Sequence, residues 1–164
     1  MLAWLSYVVP ALFIVLLAAA AVSDFLRRKI PNWTVLALVG LYVVAAFAGL
    51  APTGPWSALG AALIAFPVGY GLYHFNVVGA GDAKLFTAAA LFTGLAWLLP
   101  FALITAMLGG VIAVGYLVFR PRRVMRGLTT AGREEGAGQG VPYGVPIAFG
   151  AAAVAVLNGF LSFT

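Results

Sequence analysis

The chain has 164 residues, of which 64% are apolar and only 8% charged, with a net charge of +5, whereas an ordinary soluble domain carries about 25% charged residues. This balance argues against a water-solvated globule and makes lipid the expected solvent, so the positive excess reads as membrane topology rather than as a nucleic-acid surface. The absence of cysteine excludes disulfide staples, Cys-ligated zinc and thiol nucleophiles.

Apolar stretches long enough, or nearly so, to cross about 30 Å of hydrocarbon as helices fall at about 4–22, 33–50, 56–73, 84–99, 101–119 and 145–163. The first has no basic residue ahead of it and runs directly into a charged cluster. It is therefore expected to be a retained span despite the small residues at Ala18 to Ala21. Pro67 interrupts the third stretch, where a kink would open a water path. Pro100 separates the fourth from the fifth and predicts a tight turn, because proline disfavours helix in the residue before it. Trp33, Trp56 and Trp97 lie near span ends, as interfacial anchors should, and the single histidine, His74, reads as a further interfacial ring. The expected fold is all-α: a polytopic membrane protein of six transmembrane helices forming one domain over residues 1–164.

The charges orient these spans. Arg27, Arg28 and Lys29 follow the first span, Lys84 follows the third, and Arg120, Arg122, Arg123, Arg126 and Arg133 follow the fifth. The connections at residues 51–55 and at Pro100 carry none. With six spans, all the basic loops (about 23–32, 74–83 and 120–144) share one side, which the positive-inside rule makes cytoplasmic, with both termini facing outward. The basic half of the 120–144 linker would attract anionic headgroups, and its Gly-Ala-Gly-Gln-Gly run reads as a flexible loop. Asp24, Asp82, Glu134 and Glu135 lie in the same loops, so all charged chemistry is expected at the cytoplasmic edge.

Asp82 lies in Gly79-Ala80-Gly81-Asp82-Ala83-Lys84, where a span begins. A carboxylate at membrane depth is expensive and tends to serve a function, and the flanking glycines would let a second chain approach closely. The structural alternative is a helix N-cap. Asp24 lies in Ser23-Asp24-Phe25-Leu26-Arg27-Arg28-Lys29-Ile30-Pro31-Asn32. Its alternative is a surface pair with Arg27 or Arg28, three and four residues on; Pro31 would then end the helix and Asn32 cap the next. Asp24 and Asp82 are the only aspartates in the chain and are expected at the same depth. Two carboxylates brought together do not both ionise easily, which leaves one general base to activate water and one general acid to protonate a scissile carbonyl. Lys84, two residues from Asp82, would diverge from it on a regular helix and snorkel toward the interface.

These segments resemble the motifs of the type IV prepilin peptidases, membrane aspartic proteases of the G-x-G-D class. Asp24 through Asn32 match the first motif, an Asp followed by basic residues and Ile-Pro-Asn. Gly79, Gly81, Asp82, Lys84 and Leu85 match the second, G-x-G-D-x-K-L, and Pro142-Tyr143-Gly144 is similar to a P-Y-G segment before the last span. The resemblance implies Asp24 and Asp82 as the catalytic pair, with Gly79, Gly81, Lys84, Pro142, Tyr143 and Gly144 shaping the peptide site. It also implies removal of the basic leader from a pilin-like precursor at the cytoplasmic membrane. Larger members add a cytoplasmic domain with paired cysteines and methylate the new N-terminus. Without cysteine, this chain is similar to the short, peptidase-only form of tight-adherence (Flp) pilus systems, or to an archaeal preflagellin-type enzyme. Neither methyltransferase activity, a metal nor another cofactor is expected. The rival reading is a proton- or cation-coupled transporter using Asp24 and Asp82 as a relay. Transport sites favour the bilayer midplane and repeat-related broken helices, whereas both aspartates are expected at one edge and no repeat is visible.

Overall fold

The computed structural model describes residues 5–75, 77–119 and 143–161, and every regular element among them is helical. In chain order these are α1 (Leu5–Arg27), α2 (Asn32–Phe47), α3 (Pro55–His74), α4 (Ala80–Phe119) and α5 (Gly144–Leu157). The charged linker and Pro142 lie outside the described residues. Three stretches are long and apolar enough to cross a membrane, Tyr7–Arg27, Pro55–His74 and Ala80–Gly115; α2 and α5 are shorter apolar helices. The helix α3 runs through Pro67 from Pro55 to His74.

Large apolar side chains point outward, with Phe47 91% and Met107 72% exposed, while Ala20, Ala58, Ala61, Ala65, Ala89 and Ala151 are buried. In water such a surface would drive aggregation. In lipid it meets a solvent of its own kind, and the helices associate through close packing of small residues instead.

Helix α4 is a hairpin. Phe86 and Phe101 stack with ring centroids 4.4 Å apart and planes within 10°, although on a straight helix they would lie about 22 Å apart along the axis. The reversal is at Gly94, whose φ of 63° and ψ of −178° are non-helical. That combination belongs to a region nearly exclusive to glycine. The tight turn expected at Pro100 therefore falls at Gly94, and Pro100 lies inside the returning arm, residues 95–119. Proline lacks only its own N–H and a helical predecessor is merely disfavoured, whereas reversing the chain in one residue needs a positive φ.

Breaking a helix frees an amide and a carbonyl that lipid will not solvate. Both are answered by the segment leading into α3. Thr53 Oγ1 donates to the Leu91 carbonyl at 2.8 Å, and the Leu95 amide donates to Ser57 Oγ at 2.9 Å. Tyr42 of α2 in turn donates to the Thr53 carbonyl at 3.0 Å. Beside the turn an aromatic cluster joins α1, α2 and α4: Phe13 and Phe92 at 4.4 Å, and Tyr42 edge-on to Phe92 at 5.4 Å. This end of the bundle is held by hydroxyl groups and aromatic rings.

A Cβ at Gly94 would sit 2.7 Å from Ser57 Oγ and 2.9 Å from Thr53 Cγ2. Gly94→Ala is expected to cost about 1–3 kcal/mol through the backbone alone. The measurement is thermal unfolding in detergent micelles against Gly71→Ala, where an added methyl meets nothing within 4 Å.

Candidate active site

At the opposite end, the chain leaves α1 abruptly. Arg28 takes a left-handed φ of 54°, and its amide closes the last turn on the Asp24 carbonyl at 2.8 Å. Ser23 Oγ ties the Lys29 carbonyl back at 2.9 Å. Pro31, extended at φ −66° and ψ 135°, holds the capping position of α2 with no side-chain cap hydrogen bond. Asn32 is thus the first helical residue rather than the cap. The Pro31 carbonyl instead accepts from both the amide and the hydroxyl of Thr34, at 3.1 and 2.7 Å. The connection is therefore residues 28–31, tighter than the loop expected over 23–32. Asp24 stands on the last turn of α1, only 6% exposed.

Asp82 also stands within a helix, not in a 74–83 loop, because α4 begins at Ala80. It occupies the third helical position, and its Oδ2 accepts from the Gly79 amide at 3.0 Å. The Gly79 carbonyl meanwhile takes the first helical bond, from Ala83 at 3.1 Å. This is the reciprocal half of a capping box, so the capping alternative holds in modified form. Asp82 braces the start of the helix from inside it. Lys84 is exposed and Asp82 half-buried, the divergence their spacing predicts.

The third contribution comes from α5. The Gly144 amide, at the helix's first residue, donates to Asp24 Oδ2 at 2.8 Å, and both groups are buried. Unpaired amides at a helix N-terminus favour negative charge. The contact is so close that a Cβ on Gly144 would lie 2.8 Å from both Asp24 Cβ and Oδ2. The other two motifs also meet: a Cβ on Gly81 would lie 3.1 Å from Ile30 Cβ. Asp24 and Asp82 thus stand at the same end of the bundle, one on the last turn of α1 and the other in the first turn of α4. His74 is exposed at the end of α3, its ring edge-on to Phe75 at 5.8 Å.

The described glycines and tyrosine expected to line a peptide groove each also make a contact within the fold. Gly79 supplies an amide to Asp82, Gly81 receives Ile30, and Gly144 supplies an amide to Asp24. Tyr143 lays its ring on Gly109 of the returning arm, where a Cβ would lie 2.6 Å from Tyr143 Cε1. Gly109 was not among the residues the sequence singled out. The available signal was the Gly109-Gly110 pair inside an apolar stretch, a pattern that permits close helix approach.

An apolar helical bundle that gathers two aspartates at one end, each bonded to a glycine amide, defines a membrane-type helical protein with a carboxylate-bearing site. The sequence pattern of the type IV leader peptidase family matches residues 11–114, and the chain belongs to that peptidase family. The match takes in Asp24, Ile30, Gly79, Gly81, Asp82 and Gly109 and ends before Tyr143 and Gly144. No curated protein and no solved structure matches the chain.

The Asp82–Gly79 bond separates two roles of one side chain. Asp82→Ala removes the brace and is expected to lower stability by about 1 kcal/mol, the usual worth of a helix-start bond. Asp82→Asn keeps an oxygen for the Gly79 amide and is expected to unfold near the wild-type temperature, as read by thermal denaturation in micelles.

Proposed function

We propose that the protein is an aspartic endopeptidase that removes the basic leader from a type IV pilin-like precursor at the cytoplasmic face of the inner membrane. The observation that carries this reading is that Asp24, on the last turn of α1, and Asp82, in the first turn of α4, stand at one end of the bundle with their motifs touching through Ile30 and Gly81, each held through Oδ2 by a glycine amide. Family membership supports the hydrolysis of a leader peptide.

In the proposed reaction one carboxylate takes a proton from water as its oxygen attacks the scissile carbonyl carbon, and the other gives its proton to the carbonyl oxygen. As the tetrahedral adduct collapses, the C–N bond breaks, the adduct's hydroxyl proton returns to a carboxylate, and the leaving nitrogen takes one. The pair acts as a unit, with no fixed division into acid and base. The precursor's apolar helix would lie in the bilayer beside the bundle, with its leader at the basic rim formed by Arg27, Lys29 and Lys84, which are exposed.

The same reading takes the hairpin arms of α4 as separate crossings. That makes six spans, places residues 28–31, 75–79 and the 120–142 linker in the cytoplasm, and puts both termini outside. The basic linker would rest on anionic lipid. Methylation of the new N-terminus is not part of the proposed activity. A transport relay has less support, because Asp24 and Asp82 stand together at one end of their helices rather than midway along them.

Asp24→Asn and Asp82→Asn are each expected to lower cleavage of a tagged pilin-like precursor by about 10²–10⁴-fold, the usual worth of general acid–base catalysis. The assay is leader removal in membranes or micelles, with thermal unfolding run alongside. Cleavage at the wild-type rate by either folded variant would overturn the dyad.

A further inference from the structure

We infer that Gly109, Tyr143 and Gly144 form a positioning device that sets the orientation of Asp24 from α5 and the returning arm of α4. The inference rests on the reading of Asp24 as a catalytic group, but the device is defined by contacts that do not depend on it.

The chain of contact is short. Asp24 Oδ2 is held by the Gly144 amide at 2.8 Å. Tyr143 immediately precedes Gly144, and its carbonyl accepts the Ile147 amide at 3.1 Å, so it is tied into the first turn of α5. Its ring is seated on Gly109, where a Cβ would meet Cε1 at 2.6 Å and Cδ1 at 3.1 Å. The Tyr143 ring is half-buried and packed against the hydrophobic core, and packed interiors transmit such displacement rather than absorb it. A side chain at 109 therefore moves the ring, the ring moves the start of α5, and the Gly144 amide leaves Asp24. Further along, α5 stays close to the same arm, with Gly150 packed on Thr105. The start of the helix is thus the end that gives.

Gly110 supplies an internal control. It is the next residue of the same helix, and an added Cβ there meets nothing within 4 Å. Gly109→Ala and Gly110→Ala carry the same change in helix propensity, so any difference between them reports the ring.

The experiment has two readouts on the full chain in detergent micelles. In protein labelled with 15N-glycine, the Gly144 amide resonance is identified as the one lost in Gly144→Ala. It is expected to shift in Asp24→Asn, to shift again in Gly109→Ala, and to stay in place in Gly110→Ala. In the cleavage assay, Gly109→Ala is expected to lower kcat by about 100-fold, as misplacement by an ångström does, with KM little changed and Gly110→Ala indistinguishable from wild type. Adding Gly109→Ala to Tyr143→Ala should cost almost nothing further, because the ring it displaces is gone. This double variant also keeps the test alive should Gly109→Ala fold poorly. A Gly144 resonance indifferent to both Asp24→Asn and Gly109→Ala overturns the device, as do equal kcat values for Gly109→Ala and Gly110→Ala. If the resonance responds as expected but the wild-type protein cleaves no precursor, the device stands and the proposed function falls.

Discussion

Hydrocarbon offers no hydrogen-bond partner, so backbone groups freed in or beside it, where helices break, start or end, are best answered from within the protein. The rest of the structure follows from how those answers are made. At Gly94 the reversal frees the Leu91 carbonyl and the Leu95 amide, and Thr53 and Ser57 take them. At the other end, α1 closes through the Arg28 amide and the Ser23 hydroxyl. The starts of α4 and α5 are answered by carboxylates: Asp82 for Gly79 and Asp24 for Gly144. The reversal is satisfied by neutral hydroxyls, whereas the other end adds two acids to its hydroxyls. That asymmetry puts both aspartates of the chain at one end.

A carboxylate that caps a helix is usually the bland explanation for an aspartate at such a position. Here capping is compatible with the proposed chemistry, and would serve it. A carboxylate has two oxygens and about four acceptor sites. Fixing Oδ2 against a rigid amide orients the whole group, and preorganised polar groups are what a low-dielectric site needs in order to stabilise a changing charge. The donors are glycines for a steric reason in at least one case, since the Gly144 amide reaches a buried Asp24 only where no Cβ stands between them. The same economy explains why Gly81 faces Ile30: the first two motifs are in contact, and the connection after α1 is held down on the start of α4.

Much of this was legible in the sequence, for reasons that can be named. Apolar stretches located α2 and α3 to within three residues and the starts of α1 and α5 to within one, because lipid imposes composition along the whole length of a helix. The ends of α1 and α5 differ by five and six. The aspartates stood out because acids are rare in such stretches. The turn within α4 was misplaced to Pro100 because proline is the louder signal, yet a one-residue reversal depends on positive φ and so on Gly94. Asn32 was misread as a cap for a similar reason. Its side chain suits the role, but Pro31 already fixes the entry to α2 and the Thr34 hydroxyl takes the free carbonyl. The glycines of the motifs were read as space for a substrate, and Gly79, Gly81 and Gly144 each also lie against a side chain of the protein itself. Nothing in a single sequence distinguishes a gap left for a ligand from a gap already filled.

Gly109 makes that last difference concrete. Its neighbour Gly110 is chemically identical and lies on the same helix, but only Gly109 faces an aromatic ring. Its role exists because the returning arm of α4 lies beside α5, and that neighbourhood exists because the chain reverses at Gly94. A shift of the reversal by one residue would rotate the returning arm by about 100° and turn a different residue toward Tyr143. The glycine at one end of the bundle therefore sets the register that lets a glycine near the other end seat the ring beside Asp24. The two carboxylates are oriented by helix starts, and the helix starts are placed by where α4 folds back.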